Sequence, residues 1–452
     1  MNTQAKAPSN PAIHAPALAT FTRYVGASVI GLLALTGAAI VDGVMVGKWL
    51  GADALAAVNL LIPLWILLFG LVLMLAIGGS VVASRYLGAG HNTAASKVFC
   101  GSLTIAGVGG AVLAAVIGAL HLPIMTLLAV PESLQTMIKP YLLIVLAGLA
   151  PQYIAVVLYY FLRVAGQPQR ASRALVIGAL VNIILDVVLL GWLHWDIRAA
   201  ALATLVAQLT QCALLVGTFK RAPMPLRWAP TGLTPRRLAQ FCANGVSEFV
   251  NEVSAGLILL VIHWLLSRQY GVAGVAGFAL IHYALLLNIM LACAIAEVVH
   301  VLVSQNRGAG QWRRAKIFFR FGMSLAVATG ALLWGLSHWS SAALSHWFFR
   351  GGNAAVYAQD FWPVIAPVFL FTGANLVLSA WFTGLQQPGR SAFIALSRSL
   401  ALPLVFLWIL YFWQTAHSFL WALPLAEAAT LAMALLLKAQ QSSAWRLNTT
   451  PK

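Results

Sequence analysis

Charge is what this sequence has least of. Only 8% of its 452 residues are Asp, Glu, Lys or Arg, against about 25% in an ordinary soluble domain. Just 10 residues are acidic. With 61% hydrophobic residues and a mean hydropathy of +0.88, that scarcity excludes a soluble globular chain. Strand-length segments of alternating polarity are missing as well, which excludes an outer-membrane barrel. No GxxxxGK[ST] loop is present, which argues against ATP as an energy source. The four cysteines, Cys100, Cys212, Cys242 and Cys293, fall within or beside apolar runs without metal-type spacing and are expected as free thiols.

What the chain does have is long apolar runs, each able to cross about 30 Å of hydrocarbon as a helix. Twelve are found, near 24–47, 55–83, 98–120, 138–162, 172–193, 198–219, 239–266, 274–304, 316–337, 358–385, 391–413 and 417–438. The predicted fold is an all-α integral membrane bundle of twelve transmembrane helices. Trp49, Trp192, Trp195 and Trp413 stand at the ends of runs, as interfacial anchors do.

The net charge of +17 invites a nucleic-acid reading, but its placement argues for topology instead. With the N-terminus inside, 22 of the 27 basic residues fall in inner loops and tails, among them Lys6, Lys220, Arg221, Arg227, Arg398 and Lys452. Lys48, Lys139, Arg198, Arg268 and Arg350 remain outside. This split follows the positive-inside rule and places both termini in the cytoplasm of a multi-pass protein. No cleavable signal peptide is evident. The expected organisation is a disordered tail over 1–21, an N-lobe over 22–219, a basic cytoplasmic linker over 220–238, a C-lobe over 239–438 and a tail over 439–452.

The two halves repeat at a fixed shift of 220 residues. "LGAG" (87–90) lies over "RGAG" (307–310), "GADALAAVNLL" (51–61) over "GVAGVAGFALI" (271–281), and "GQPQRAS" (166–172) over "QQPGRSA" (386–392). Each half holds six helices, so both take the same orientation in the membrane. Parallel repeats of this kind mark secondary transporters. "VDGVMVGKWLGADALAAVNLLIPL", "AIGGSVVASRYLGAG", "GALVNIILDVVLL" and "AALATLVAQL" resemble the multidrug and toxic compound extrusion (MATE) family over residues 22 to 440. The resemblance implies a bacterial efflux antiporter in the cytoplasmic membrane, driven by Na⁺ or H⁺ and using no other cofactor. The first helix lacks the proline that bends it in some members, and Val246 and Val301 stand where prolines are usual.

Six acids lie inside spans: Asp42, Asp186, Glu248, Glu252, Glu297 and Glu427. Each costs roughly 2.5–3.5 kcal/mol at mid-bilayer unless it finds a partner, a proton or water. Counting ~1.5 Å per residue, Asp42, Asp186 and Thr204 reach a common level about 8–10 Å from the outer helix ends, with Asn182 one turn deeper. Two carboxylates with hydroxyl and amide oxygens make a hard-oxygen set suited to Na⁺, and equally a pair able to share one proton. At the 220 shift Asp42 faces Ile262 and Asp186 faces Phe406, so the set is confined to one half. The resemblance assigns Asp42, Asn182, Asp186 and Thr204 to the family's N-lobe cation and proton site. The competing reading is two unrelated acids that snorkel or pair with amides.

The seventh run, "CANGVSEFVNEVSAG", carries Asn244, Glu248 and Glu252 at steps of four. The eighth adds Glu297, His300 and Ser304 on one face. Such polar stripes in a span face water or partner helices, and the expectation is a substrate-cavity or coupling role for Glu248, Glu252, Glu297 and His300. Glu427 and His263 read as lone structural polar residues. Glu297-x-x-His300 could suggest a metal site, but its shifted positions are Ile77 and Ser80, so no metal and no enzyme are expected. The function expected is export of amphipathic cations by a monomer that binds lipid and no nucleic acid. A flippase of lipid-linked precursors is the alternative.

Overall fold

The structure is a computed structural model that describes residues 11–128, 130–221, 224–229, 235–349, 352–412 and 418–448. Among them there is no strand. Among the described residues, nine long apolar helices and two bent pairs make twelve spans once the longest helix is divided at Gly271: α1 (Ala17–Leu50), α2 (Asp53–Gly88), α3 (Asn92–Ala119), α4 (Glu132–Ala147 with Leu149–Val164), α5 (Pro168–Trp192) and α6 (Arg198–Lys220). There follow α7 (235–270) and α8 (272–308), then α9 (Trp312–His346), α10 (Asn353–Ile365 with Val368–Gly384), α11 (Pro388–Phe412) and α12 (Phe419–Gln441). The helices α7 and α8 run on from one another across Gly271, whose φ of 62° breaks the helical path. The helix α4 bends by 44° at Gly148 and α10 by 48° at Ala366–Pro367. Prolines at 151 and 367 remove the backbone donors that would carry each helix straight through.

The repeat is built into the backbone. Left-handed φ values recur at the 220 shift: Gly51 and Gly271, Gly90 and Gly310, Gly166 and Gln386. The bonds that end α2 and α8 match one for one. Gly90 N–H donates to the Leu87 carbonyl (3.1 Å) and His91 N–H to Tyr86 (2.9 Å). Gly310 donates to Arg307 (3.1 Å) and Gln311 to Asn306 (2.8 Å). This is the paired 5→2 and 6→1 closure of a Schellman cap, which needs the left-handed residue that glycine supplies.

The chain divides into two compact units, Met1–Gly245 with Ser304–Gln311, and Val246–Val303 with Trp312–Lys452. In the first, the end of α8 is clamped by Ser304, Gln305 and Asn306, which donate to the carbonyls of Val81 (2.8 Å), Val164 (2.7 Å) and Ala12 (3.1 Å). A side chain at Gly88 would strike the Gln305 carbonyl, and one at Gly308 the Arg85 carbonyl. These are again positions 220 apart, so α2 and α8 cross through their matching glycines. The second unit holds a core of Ile258, Ile262, Leu285, Phe361, Ile365 and Phe369 among others.

Three expectations are corrected. Residues 11–21 were expected in the disordered tail, yet Pro11–His14 is a helical turn and α1 begins at Ala17. Ala12 and Ile13 are buried, and Asn306 and Thr20 bind the Ala12 and Pro16 carbonyls, so the segment has a surface to lie on. The tail expected from 439 continues as helix to Asn448, since "KAQQSSAWRLN" contains no helix-stopping Gly or Pro. Arg398, counted with the inner loops, lies inside α11. Moving it into the span leaves 21 inner basic residues against five, and the charge bias stands. Residues 1–10, the linker positions 222–223 and 230–234, Arg350, Trp413 and 449–452 lie outside the described residues.

Candidate functional site

In the first unit α1, α2, α4, α5 and α6 surround a cavity of about 310 Å³. Asp42 from α1, Asn182 from α5 and Thr204 from α6 all line it, as their matched depths led one to expect. Gly178 is part of the wall, and the room it leaves is taken by the Gln211 side chain. Asp186 stands behind the lining, fully buried, with its carboxyl group within hydrogen-bonding reach of Asp42. Among the described residues, no donor reaches either Asp186 oxygen or Asp42 Oδ1. Two facing carboxylates are acceptors only and cannot bond to each other. A hydrogen bond between them requires that one of the two carries a proton.

The cavity also contains residues that the sequence reading passed over. Tyr141 and Gln152 come from α4, and Gln208 and Gln211 from α6. Gln208 donates to Gln152 Oε1 at 2.9 Å, which ties the two helices across the cavity. The signal was present in α6: Thr204, Gln208 and Gln211 step by four and three, a polar stripe on one face. In α4 no comparable spacing marks Tyr141 and Gln152, because the bend at Gly148 separates them.

In the second unit, Glu248, Glu252 and Glu297 gather around Cys293, with Arg398 as the nearby cation. The structure thus brings together three of the four residues expected there. His300 is buried on α8, one turn past Glu297. Glu427 is not a lone polar group. Arg398 Nη1 donates to its Oε1 at 3.1 Å, Thr372 to the same oxygen at 3.0 Å, and Asn375 to Oε2 at 2.6 Å. Arg398 Nη2 and Ser399 also donate to Asn251 Oδ1, at 3.1 and 2.9 Å. His263 stacks edge-on against Phe278, with ring centres 5.8 Å apart.

Repeated six-helix halves, broken α4 and α10, and a cavity with Asp42 in its wall are the plan of a membrane transporter of the parallel-repeat class. The chain belongs to the MatE family, whose sequence model matches it twice, over residues 27–188 and 249–409. The two matches cover corresponding stretches of the two halves. Among curated relatives, a probable multidrug resistance protein of Bacillus subtilis is 25% identical over 65% of each chain. A FAD transporter of Shewanella oneidensis is 23% identical over 68% of this chain and 69% of its own. The chain thus spans about two thirds of the length of these relatives. An outward-facing multidrug MATE transporter superposes with a TM-score of 0.88 at 19% identity, over 97% of this chain and 99% of its own. A MOP-superfamily transporter from Pyrococcus furiosus gives 0.89 at 18%, over 98% and 99%. The protein is a MATE-family membrane transporter, not an enzyme.

Proposed function

We propose that this chain exports amphipathic cations in exchange for H⁺ or Na⁺ by alternating access, as a monomer in the bacterial cytoplasmic membrane with both termini inside. The observation that carries the reading is the Asp42–Asp186 pair: Asp186 is buried, and among the described residues no donor reaches either of its oxygens or Asp42 Oδ1. Two neighbouring carboxylates, one of them on the wall of a cavity, are what coupling to a cation gradient requires. Between the two ions the proton is favoured. Glu248, Glu252 and Glu297 in the second unit offer further groups that exchange protons. One charge moving inward is driven by ~2.3 kcal/mol per 100 mV, enough to bias a conformational step.

The test is efflux from proteoliposomes under an imposed pH gradient without sodium, with transport expected. Transport that appears only after Na⁺ is added outside overturns the proton assignment and leaves the site intact. A flippase of phosphate-bearing lipids is disfavoured, because the one arginine described deep in a span is already bound to Glu427. Drug-susceptibility profiling of a sensitive host, with and without the chain, separates the two.

A further inference from the structure

The two units share a backbone plan but fill the same place differently. At the 220 shift the cavity residues Ala38, Asp42, Trp65, Tyr141, Val145 and Leu149 become Ile258, Ile262, Leu285, Phe361, Ile365 and Phe369, all members of the packed core of the second unit. The outer part of the cavity therefore has no counterpart there. Deeper in, three more cavity residues, Gln152, Gly178 and Ala207, become Thr372, Arg398 and Glu427. These are the members of the buried ion pair and its nearest hydroxyl. Gly178 has no side chain, and its counterpart carries the longest cation available.

The geometry at Arg398 is complete where that at Asp186 is bare. Both Glu427 oxygens receive donors, from Arg398, Thr372 and Asn375. The guanidinium is 10% exposed and the carboxylate 9%. Its second nitrogen is spent on Asn251. The irregular turn Ser397–Ala401 in α11 offsets the helix at this point, and such bulges commonly re-aim a side chain at functional positions. Glu248, Glu252 and Cys293 also lie near this guanidinium. It is a positive charge set among three carboxylates, those of Glu427, Glu248 and Glu252.

We propose that Arg398 is a tethered cation: its guanidinium supplies, in the second unit, a fixed positive charge at inner positions whose counterparts in the first unit, Gly178 and Ala207, line the cavity proposed for an exchangeable ion. The chain then has one exchangeable ion site in the repeated pair of positions, and Glu248 and Glu252 serve to meet the solute. The comparison between units rests on the cation reading of the Asp42–Asp186 cavity. The placement of Arg398 does not.

The experiment is chemical rescue of the full-length purified chain with millimolar methylguanidinium, a free copy of the deleted head group. Arg398→Ala should be stabilised by it, with a thermal midpoint rising by roughly 5 °C near saturation. The wild type and Arg398→Ala/Glu427→Gln should not respond. Arg398→Gln is the second variant, because its amide retains a donor for Asn251 and keeps the fold if alanine does not; the same response is expected. A folded Arg398→Gln or Arg398→Ala protein with a flat response overturns the proposal, as does a response that survives Glu427→Gln. Repeating the series with Asp42→Asn and Asp186→Asn present leaves the expected result unchanged. Failure of the first-unit cation reading therefore cannot be mistaken for failure at Arg398.

Discussion

Replacing Asp186 with asparagine should leave a protein that is more stable when empty and unable to transport. The carboxylate is 0% exposed and both its oxygens lack a donor, as does Asp42 Oδ1. A buried acceptor left unsatisfied costs about 1–3 kcal/mol. The asparagine amide supplies an N–H to Asp42 and removes one of two like charges, so the empty variant should gain about 1–3 kcal/mol, or roughly 2–6 °C in thermal midpoint. The wild type recovers the difference only on binding its ion, which adds about 2.7 kcal/mol at one hundred times Kd. The assay is thermal unfolding of detergent-purified protein across a sodium series and, separately, an acid series, beside efflux from a sensitive host. The wild-type midpoint should climb with one of the two cations, and the Asp186→Asn midpoint should start higher and stay flat. Asp42→Asn and the double variant should behave alike, since each removal disables one shared site and the losses do not add. Full transport by either single variant, or a wild-type cation response in Asp186→Asn, refutes the reasoning.

Glu248→Gln should reduce transport of cationic compounds more than neutral ones in a susceptibility panel, because it removes one negative charge from the cluster around Cys293; equal losses would make the residue structural. Arg398→Met alone strands Glu427 and should destabilise by about 3–5 kcal/mol, whereas Arg398→Met with Glu427→Leu should recover most of that in a thermal-unfolding comparison. Gly308→Ala should lose roughly 1–3 kcal/mol, since its methyl group meets the Arg85 backbone, which cannot give way as a side chain would. Gly389→Ala, with open space at its Cβ, is the control and should be neutral or mildly stabilising.

Much of this was legible because a membrane makes the sequence speak in lengths. Apolar runs fix the spans, and a constant rise per residue turns position into depth. That is why Asp42, Asn182 and Thr204 could be placed at one cavity from counting alone. Arg398 was hidden by the same logic, because basic residues were sorted as loop markers. It follows the "QQPGRSA" turn closely enough to pass as part of it. The missing clue was Glu427. A buried acid requires a partner, and Arg398 is the basic residue deepest within a neighbouring span, ten residues from the start of α11. Helix packing, which brings α10, α11 and α12 together around that pair, has no local sequence signature.

The contrast between the units says where the specificity of this transporter is encoded. Turns, caps and the crossing glycines recur at 220 residues because they serve the backbone, and a duplicated fold needs them twice. The acids of the first unit and the ion pair of the second do not recur. Asp42 and Asp186 answer to Ile262 and Phe406, while Arg398 and Glu427 answer to Gly178 and Ala207. If both halves kept an open ion site, each transport cycle would bind two ions at equivalent places. On the proposed reading, packed apolar residues and an internal ion pair in the second unit leave the Asp42–Asp186 pair as the one exchangeable site at those positions. Symmetry thus builds the scaffold, and departure from symmetry builds the site.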